Sequence, residues 1–413
     1  MRAEARLLAF LLVLAAGPTT AEINLGLTQS VSVLATGMRS DSISAQNDAI
    51  VYAGSADTHL IVTPGMELGA DMVPDLRIDA YVSKPFDGGP VRFSPLELFV
   101  DFLYRDRLSL KLGYIRSELG YNSDYDPLDI LDFDPAFREK FPTIRVGRQS
   151  VGNEGLPGAV LGFGLPTLAG GLESHADFGA VFLSPKDYMN WYYYVRLAAH
   201  LHDAEFGAVA GGTGRDFGAA GRFPVFGANL AYVFPFGLSL FYEAVYKKFS
   251  YRPTVEDGIL ALKRPGEDFF DQDFRAELGL ADPLFGNNLS LTLEYFSYGE
   301  GLDSTEYDSV VAFLSVPGNA SLGSTLLIAD RNFPDYLEAT LGYSFPMTRL
   351  SAVYSLAWES VSGTTRHRLS VSKGWGGASA SLFLGLSIND EEKYRLAFGD
   401  AVWQGGFEAS LDL

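Results

Sequence analysis

The sequence predicts an all-β chain, a single closed antiparallel transmembrane β-barrel of about 16–18 strands. Three observations predict it. Apolar and polar residues alternate with period two along much of the chain. Beyond the N-terminal segment, no apolar stretch approaches the ~18 residues that a spanning helix needs. Compact turns alternate with long acidic stretches. A sheet edge in lipid has no hydrogen-bond partner, so a sheet that crosses a bilayer must close.

The alternation is read from side-chain direction, because successive strand residues point to opposite faces. Leu289, Leu291, Leu293 and Tyr295 share one face, and Ser290, Thr292, Glu294 and Phe296 share the other. Leu238, Leu240, Tyr242, Ala244 and Tyr246 stand against Ser239, Phe241, Glu243, Val245 and Lys247. Leu337 to Tyr343 and Leu350 to Trp358 repeat the pattern.

These segments pair across turns, as antiparallel neighbours do. Leu96–Tyr104 and Leu108–Tyr114 meet at Asp106, Phe226–Phe234 and Leu238–Tyr246 at Pro235 and Gly237. Phe274–Leu280 and Leu289–Tyr295 meet near Pro283, and Tyr336–Phe345 and Leu350–Trp358 at Pro346. Between hairpins lie acidic segments, Gly120–Phe141, Ser250–Asp273 and Gly299–Asp335, read as loops. Short turns at one end and long loops at the other are the mark of an outer-membrane barrel, with short periplasmic turns and long extracellular loops. Thr143–Arg148 and Trp191–Leu201 read as strands, whereas Val151–Gly171 has no clear pattern. Lys393–Leu413 is either one long strand or hides a miscounted hairpin, because counting from Pro346 leaves Leu413 on the wrong side.

Residues 1–21 read as a signal peptide: Arg2 and Arg6, an apolar run from Leu7 to Ala16, then small residues Thr19 and Ala21. Residues 22–413 read as one barrel domain. Cysteine is absent, which excludes disulfides, thiol catalysis and Cys-type zinc sites. The net charge of −20 argues against nucleic acid, whose phosphates need a basic stripe. The 21 Tyr and 30 Phe are too many for an acidic disordered chain.

Three features carry a family resemblance. The first is the hairpin repeat. The second is the Pro-punctuated acidic run Asp126-Pro127-Leu128-Asp129 and Asp134-Pro135, followed by Val146-Gly147-Arg148-Gln149. The third is the alternating end Phe407, Ala409, Leu411 and Leu413, although the last residue is not the usual aromatic. In these features the chain resembles Gram-negative outer-membrane porins in the broad sense. The resemblance implies a place in the cell outer membrane, with lipid and lipopolysaccharide around the barrel. It also implies insertion by a barrel-assembly machinery, small solutes as passengers, and it leaves a homo-oligomer open.

Charges on the inner face are the strongest functional clue, since a lipid-facing Arg or Lys at mid-depth costs about 2–4 kcal/mol. The pore-lining candidates are the acids Asp79, Glu97, Asp101, Glu243, Glu277, Glu294, Glu338 and Glu359. The bases are Lys111, Arg196, Lys247, Arg275 and Arg368, with Arg77 beside them. Carboxylates outnumber bases, which predicts a weak cation preference. The rival use of these charges is structural pairing between strands. Inward Tyr81, Phe241 and Phe296 leave a sugar-stacking track as a further option, while strand-end aromatics fit interface girdles. No catalytic, cofactor or metal site is expected. Ser174, His175 and Asp177 lie close in sequence, and His200 and His202 share a strand face that could hold a metal, but neither set has a full partner list. The expected function is passive diffusion of small solutes; the alternative is a non-conducting structural or adhesive barrel.

Overall fold

Strands dominate a computed structural model that describes residues 22–38, 50–65, 72–85, 92–105, 107–115, 156–168, 171–182, 191–213, 224–248, 253–262, 268–281, 288–316, 318–319, 333–388 and 401–412. In chain order the strands are β1 (Glu22–Met38), β2 (Ile50–Gly65), β3 (Met72–Pro85), β4 (Arg92–Tyr104), β5 (Leu108–Ile115), β6 (Leu156–Leu168) and β7 (Leu172–Phe182). Then come β8 (Trp191–Leu201), β9 (Ala204–Thr213), β10 (Val225–Val233), β11 (Leu238–Lys247), β12 (Pro253–Glu256), β13 (Ile259–Leu262) and β14 (Phe269–Ala281). After β15 (Asn288–Ser297) comes a helix, α1 (Ser304–Leu314). The chain continues through β16 (Asp335–Phe345), β17 (Leu350–Glu359), β18 (Thr365–Trp375), β19 (Ala378–Ile388) and β20 (Ala401–Asp412).

All strands except β12 and β13 form one 18-stranded antiparallel sheet. Each pairs with its sequence neighbours, β11 pairs with β14, and β20 pairs with β1, so the sheet closes on itself. Closure removes every sheet edge, which is what lipid demands.

Short connections gather at one end: residues 105–107, 169–171, 202–203, 234–237, 346–349 and 376–377. Longer ones, among them 116–155, 248–268, 298–334 and 389–400, join strands at the opposite end. In outer-membrane barrels the short-turn end is periplasmic. The strand parity left open by the sequence is settled by a hairpin that the alternation concealed: β18 and β19 meet at Gly376 and Gly377. Gly376 has φ +62°, a backbone that favours glycine and suits a two-residue hairpin turn. With that turn counted, Asp412 pairs with Thr28, and the start of β1 and the end of β20 lie at the short-turn end.

Leu382 and Leu384 of β19 are 60% and 58% exposed, and Leu197, Phe178, Leu291 and Leu341 share their apolar, outward face. An apolar outer face on strand after strand belongs in lipid. No helix among the described residues is long and apolar enough to cross a membrane.

Two expectations change. Ser250–Asp273 is not one loop: it holds the β12–β13 hairpin, turning at Asp257 and Gly258, and then the start of β14. Gly299–Asp335 is not loop throughout either, because it contains α1. The unpatterned Val151–Gly171 contains β6. Residues 1–21, Gly120–Phe141 and Thr143–Arg148 lie outside the described residues.

Candidate functional site: the inner face of the barrel

Cross-strand register decides which side chains share a face, because directly opposite residues point the same way. The registers set Glu243 opposite Asp273, Arg275 opposite Glu294, and Glu294 opposite Glu338. The belt residues Tyr242, Phe274, Tyr295 and Leu337 occupy the intervening positions. These charges therefore share the inner face.

The same register puts Asp101 opposite Lys111 and Arg196 opposite Asp177. Glu277 stands opposite Thr292, and Arg368 opposite Ser355. Glu359, opposite Tyr336, lies on this face too. Asp79 and Glu97 pair in register across β3 and β4, beside an irregularity at Asp79 and Ala80; their side chains lie outside the described residues, as does that of Arg77.

Several of these groups meet. Lys111 Nζ lies 3.8 Å from Asp101 Oδ2, and Arg275 Nε lies 3.2 Å from Glu277 Oε1. The Arg275 guanidinium sits over the Phe241 ring at 4.5 Å, and that of Arg368 over Phe383 at 4.8 Å. The Glu359 carboxylate accepts from the backbone N–H groups of Val361 and Ser362 and from the Ser362 hydroxyl, so it organises the 360–364 connection. The side chains of Lys111 and Glu277 are 40% and 43% exposed. On an inward face, that exposure means solvent-accessible space within the barrel.

The wall is not uniform. From β11 to β16 it is rich in carboxylates, and sequence reading missed two of them, Asp271 and Asp273. From β16 to β20 hydroxyls prevail. Thr340 and Ser355 hydroxyls lie 2.9 Å apart, Ser351 and Ser372 2.6 Å, and Ser379 and Ser410 2.6 Å. Arg366 and Arg368 are the basic groups of that arc among the described residues. A third arc is apolar: Val181, Tyr192, Tyr194, Val209, Val225 and Val245 form a buried cluster on the inner side of β7 to β11. Tyr192 and Tyr194 are thus inner-face packing, whereas Tyr193 faces outward with 51% exposure and fits a girdle.

The segment after β15 folds back over the acidic wall. Asp303 caps α1 by accepting from the N–H groups of Thr305 and Glu306, while Glu306 accepts from the N–H of Asp303. The helix buries Tyr307, Val310 and Leu314 in a cluster with Leu302, Phe333, Val255 and the inward Phe296 and Tyr336. Phe296 therefore serves this packing rather than an open sugar track.

The considered enzyme arrangements do not form. Ser174 and His175 are adjacent strand residues and point to opposite faces, although His175 Nε2 lies 3.7 Å from Asp177 Oδ2. His202 is a turn residue with φ +53°, so it does not continue the strand face of His200. No metal-holding group of three or more His, Asp or Glu occurs among the described residues.

No protein-family model and no curated protein matches the sequence. Solved structures do match the fold. Acinetobacter baumannii OccAB1 has a TM-score of 0.55 at 10% identity, over 95% of this chain and 96% of that one. Pseudomonas aeruginosa OccK11 (OpdR) has a TM-score of 0.54 at 11% identity, covering 95% and 96%. A BenF-like porin from Pseudomonas fluorescens Pf-5 has a TM-score of 0.54 at 10% identity, covering 95% and 98%. The closed sheet, the apolar belt and these likenesses together give the chain the fold of an outer-membrane porin, a closed transmembrane β-barrel.

Proposed function

We propose that the protein is an outer-membrane channel for passive diffusion of small solutes, with a weak preference for cations. The observation that carries this reading is the solvent-accessible charge on the inner face, at Lys111 and Glu277 above all. A barrel of this strand number is wider than its own side chains fill. The likeness to porins supports the reading, and P. aeruginosa OccK2 (OpdF), similar in fold with a TM-score of 0.53, is described in complex with glucuronate, a small polar solute.

The cation preference follows from sign. Carboxylates outnumber basic groups among the candidate lining residues, and Asp177, Asp271 and Asp273 add to them. Fixed charges at a mouth concentrate counter-ions within a Debye length of about 8 Å at physiological salt. Reversal potentials across a salt gradient test this: cation preference at low salt that fades as salt rises is the expected result. Anion preference at low salt would mean that Arg275, Arg366 and Arg368 dominate the narrowest point.

A second reading is a structural or adhesive barrel without conduction. The apolar inner arc and the segment folded over the acidic wall favour it, since both narrow the interior.

A further inference from the structure

The segment Tyr298–Val316 is held to the barrel wall by an apolar contact and by a buried charge cluster, and the cluster has an unusual composition. Lys247, on the inner face of β11, places Nζ 2.5 Å from Asp271 Oδ2 of β14 and 3.9 Å from Glu300 Oε2 of the folded segment. The Lys247 side chain is 7% exposed, that of Asp271 0% and that of Glu300 7%. One ammonium thus stands between two carboxylates, one on the wall and one on the segment. The Tyr298 hydroxyl donates to Glu300 at 2.5 Å, and its ring lies under Lys247 Nζ at 5.7 Å. The Gly299 N–H donates to Asp271 Oδ1 at 2.8 Å. Gly299 packs so closely on β14 that a Cβ would stand 2.7 Å from the Phe270 carbonyl oxygen.

Removal of the ammonium would leave two buried carboxylates facing each other across the join. Buried like charges repel strongly at low dielectric, and the ammonium between them offsets that repulsion. The Gly299 N–H bond to Asp271 and the apolar contact of Phe296 and Tyr336 with Leu302, Tyr307 and Phe333 also fasten the segment. The apolar contact does not respond to charge, so its share and that of the ammonium are separable.

We propose that Lys247 is an electrostatic latch: its ammonium bridges Asp271 and Glu300 to hold the folded segment against the inner wall, and so sets the bore at the long-loop end. The latch itself is a matter of docking; its effect on bore rests on the channel reading. Release would swing α1 and its exposed Asp303, Thr305 and Asp308 away from the wall.

The chain has no cysteine, so a single reporter can be placed on the exposed face of α1 as Ser304→Cys and spin-labelled. The latch predicts an immobile label in the full-length, membrane-inserted parent. In Lys247→Met a mobile component appears, with roughly a tenfold larger released population. In Lys247→Met with Glu300→Gln the mobile component shrinks, because the repulsion is gone. Glu300→Gln alone lies outside the strands and keeps the Lys247–Asp271 pair, but removes the charge that the ammonium bridges to; it too should mobilise the label, less than Lys247→Met does. A label as immobile in Glu300→Gln as in the parent overturns the latch, as does a double variant no less mobile than Lys247→Met. Unit conductance is recorded on the same samples, and larger steps should accompany mobility. Label release without any change of step would overturn the effect on bore alone, and absence of conductance in every variant would count against the channel reading while the label still decides the latch.

Discussion

At Gly113 the backbone has φ +139°, and a Cβ there would stand 2.1 Å from the Leu98 carbonyl oxygen. Neither condition admits an L side chain without moving backbone. Gly113→Val should therefore cost about 1–3 kcal/mol, read as a lower urea midpoint for loss of the heat-modifiable barrel; an unchanged midpoint would contradict the register of β4 and β5. Gly179 serves a different need, since a Cβ there would meet the Tyr194 ring at 2.1 Å, and the ring lies over the bare backbone. Arg275 allows a functional test. It lies among Glu277, Glu294 and Glu338, so Arg275→Ala removes a positive charge from an acidic arc. One unit charge at about 6 Å acts through water with about 0.7 kcal/mol, a factor of about three in local ion concentration. Local cations should rise and local anions fall by that factor each, so cation-to-anion permeability at low salt should rise about tenfold; a fall would reverse the assigned sign of the constriction. Period two was enough to place Glu243, Arg275, Glu294 and Glu338 on one face. It failed at Asp271 and Asp273, because an inner face is allowed to be polar and a run of Asp then looks like loop.

Elements were legible where each face kept one character. β8 has the expected bounds Trp191–Leu201, and β15 to β17 follow the alternation. β6 was hidden because its inward positions Gly158 and Gly162 carry no polarity to alternate. The helix was hidden by an acidic surrounding, although its signals were present: Asp303 and Glu306 have capping-box spacing, and Tyr307, Val310, Val311 and Leu314 fall on one helical stripe. Tyr307 is fully buried in the folded segment. Tyr307→Ala should cost about 3–5 kcal/mol of that segment's local stability, by analogy with other large aromatic truncations. Limited proteolysis should then cut within residues 298–319 while the barrel stays heat-modifiable. Loss of the barrel together with the segment would show that the two do not unfold separately.

Over the whole molecule, closure explains what no single element does. Eighteen strands make one closed wall, and among the described side chains leucine and aromatics stand outside it and charge, hydroxyl and valine arcs inside. Fold class and the sidedness of the charges were readable because lipid permits only one kind of β structure. The three inner arcs were not readable, because they depend on which strands become neighbours and on a segment that folds back over β11 to β17. Circular dichroism in detergent should be dominated by strand, and a helix-dominated spectrum would contradict the architecture. The most direct test of the channel itself is conductance of the refolded, full-length protein in a planar bilayer. A channel should give discrete, long-lived steps whose size grows with salt concentration. Insertion of heat-modifiable barrel with no steps at any salt concentration would contradict it and leave the non-conducting barrel as the reading that stands.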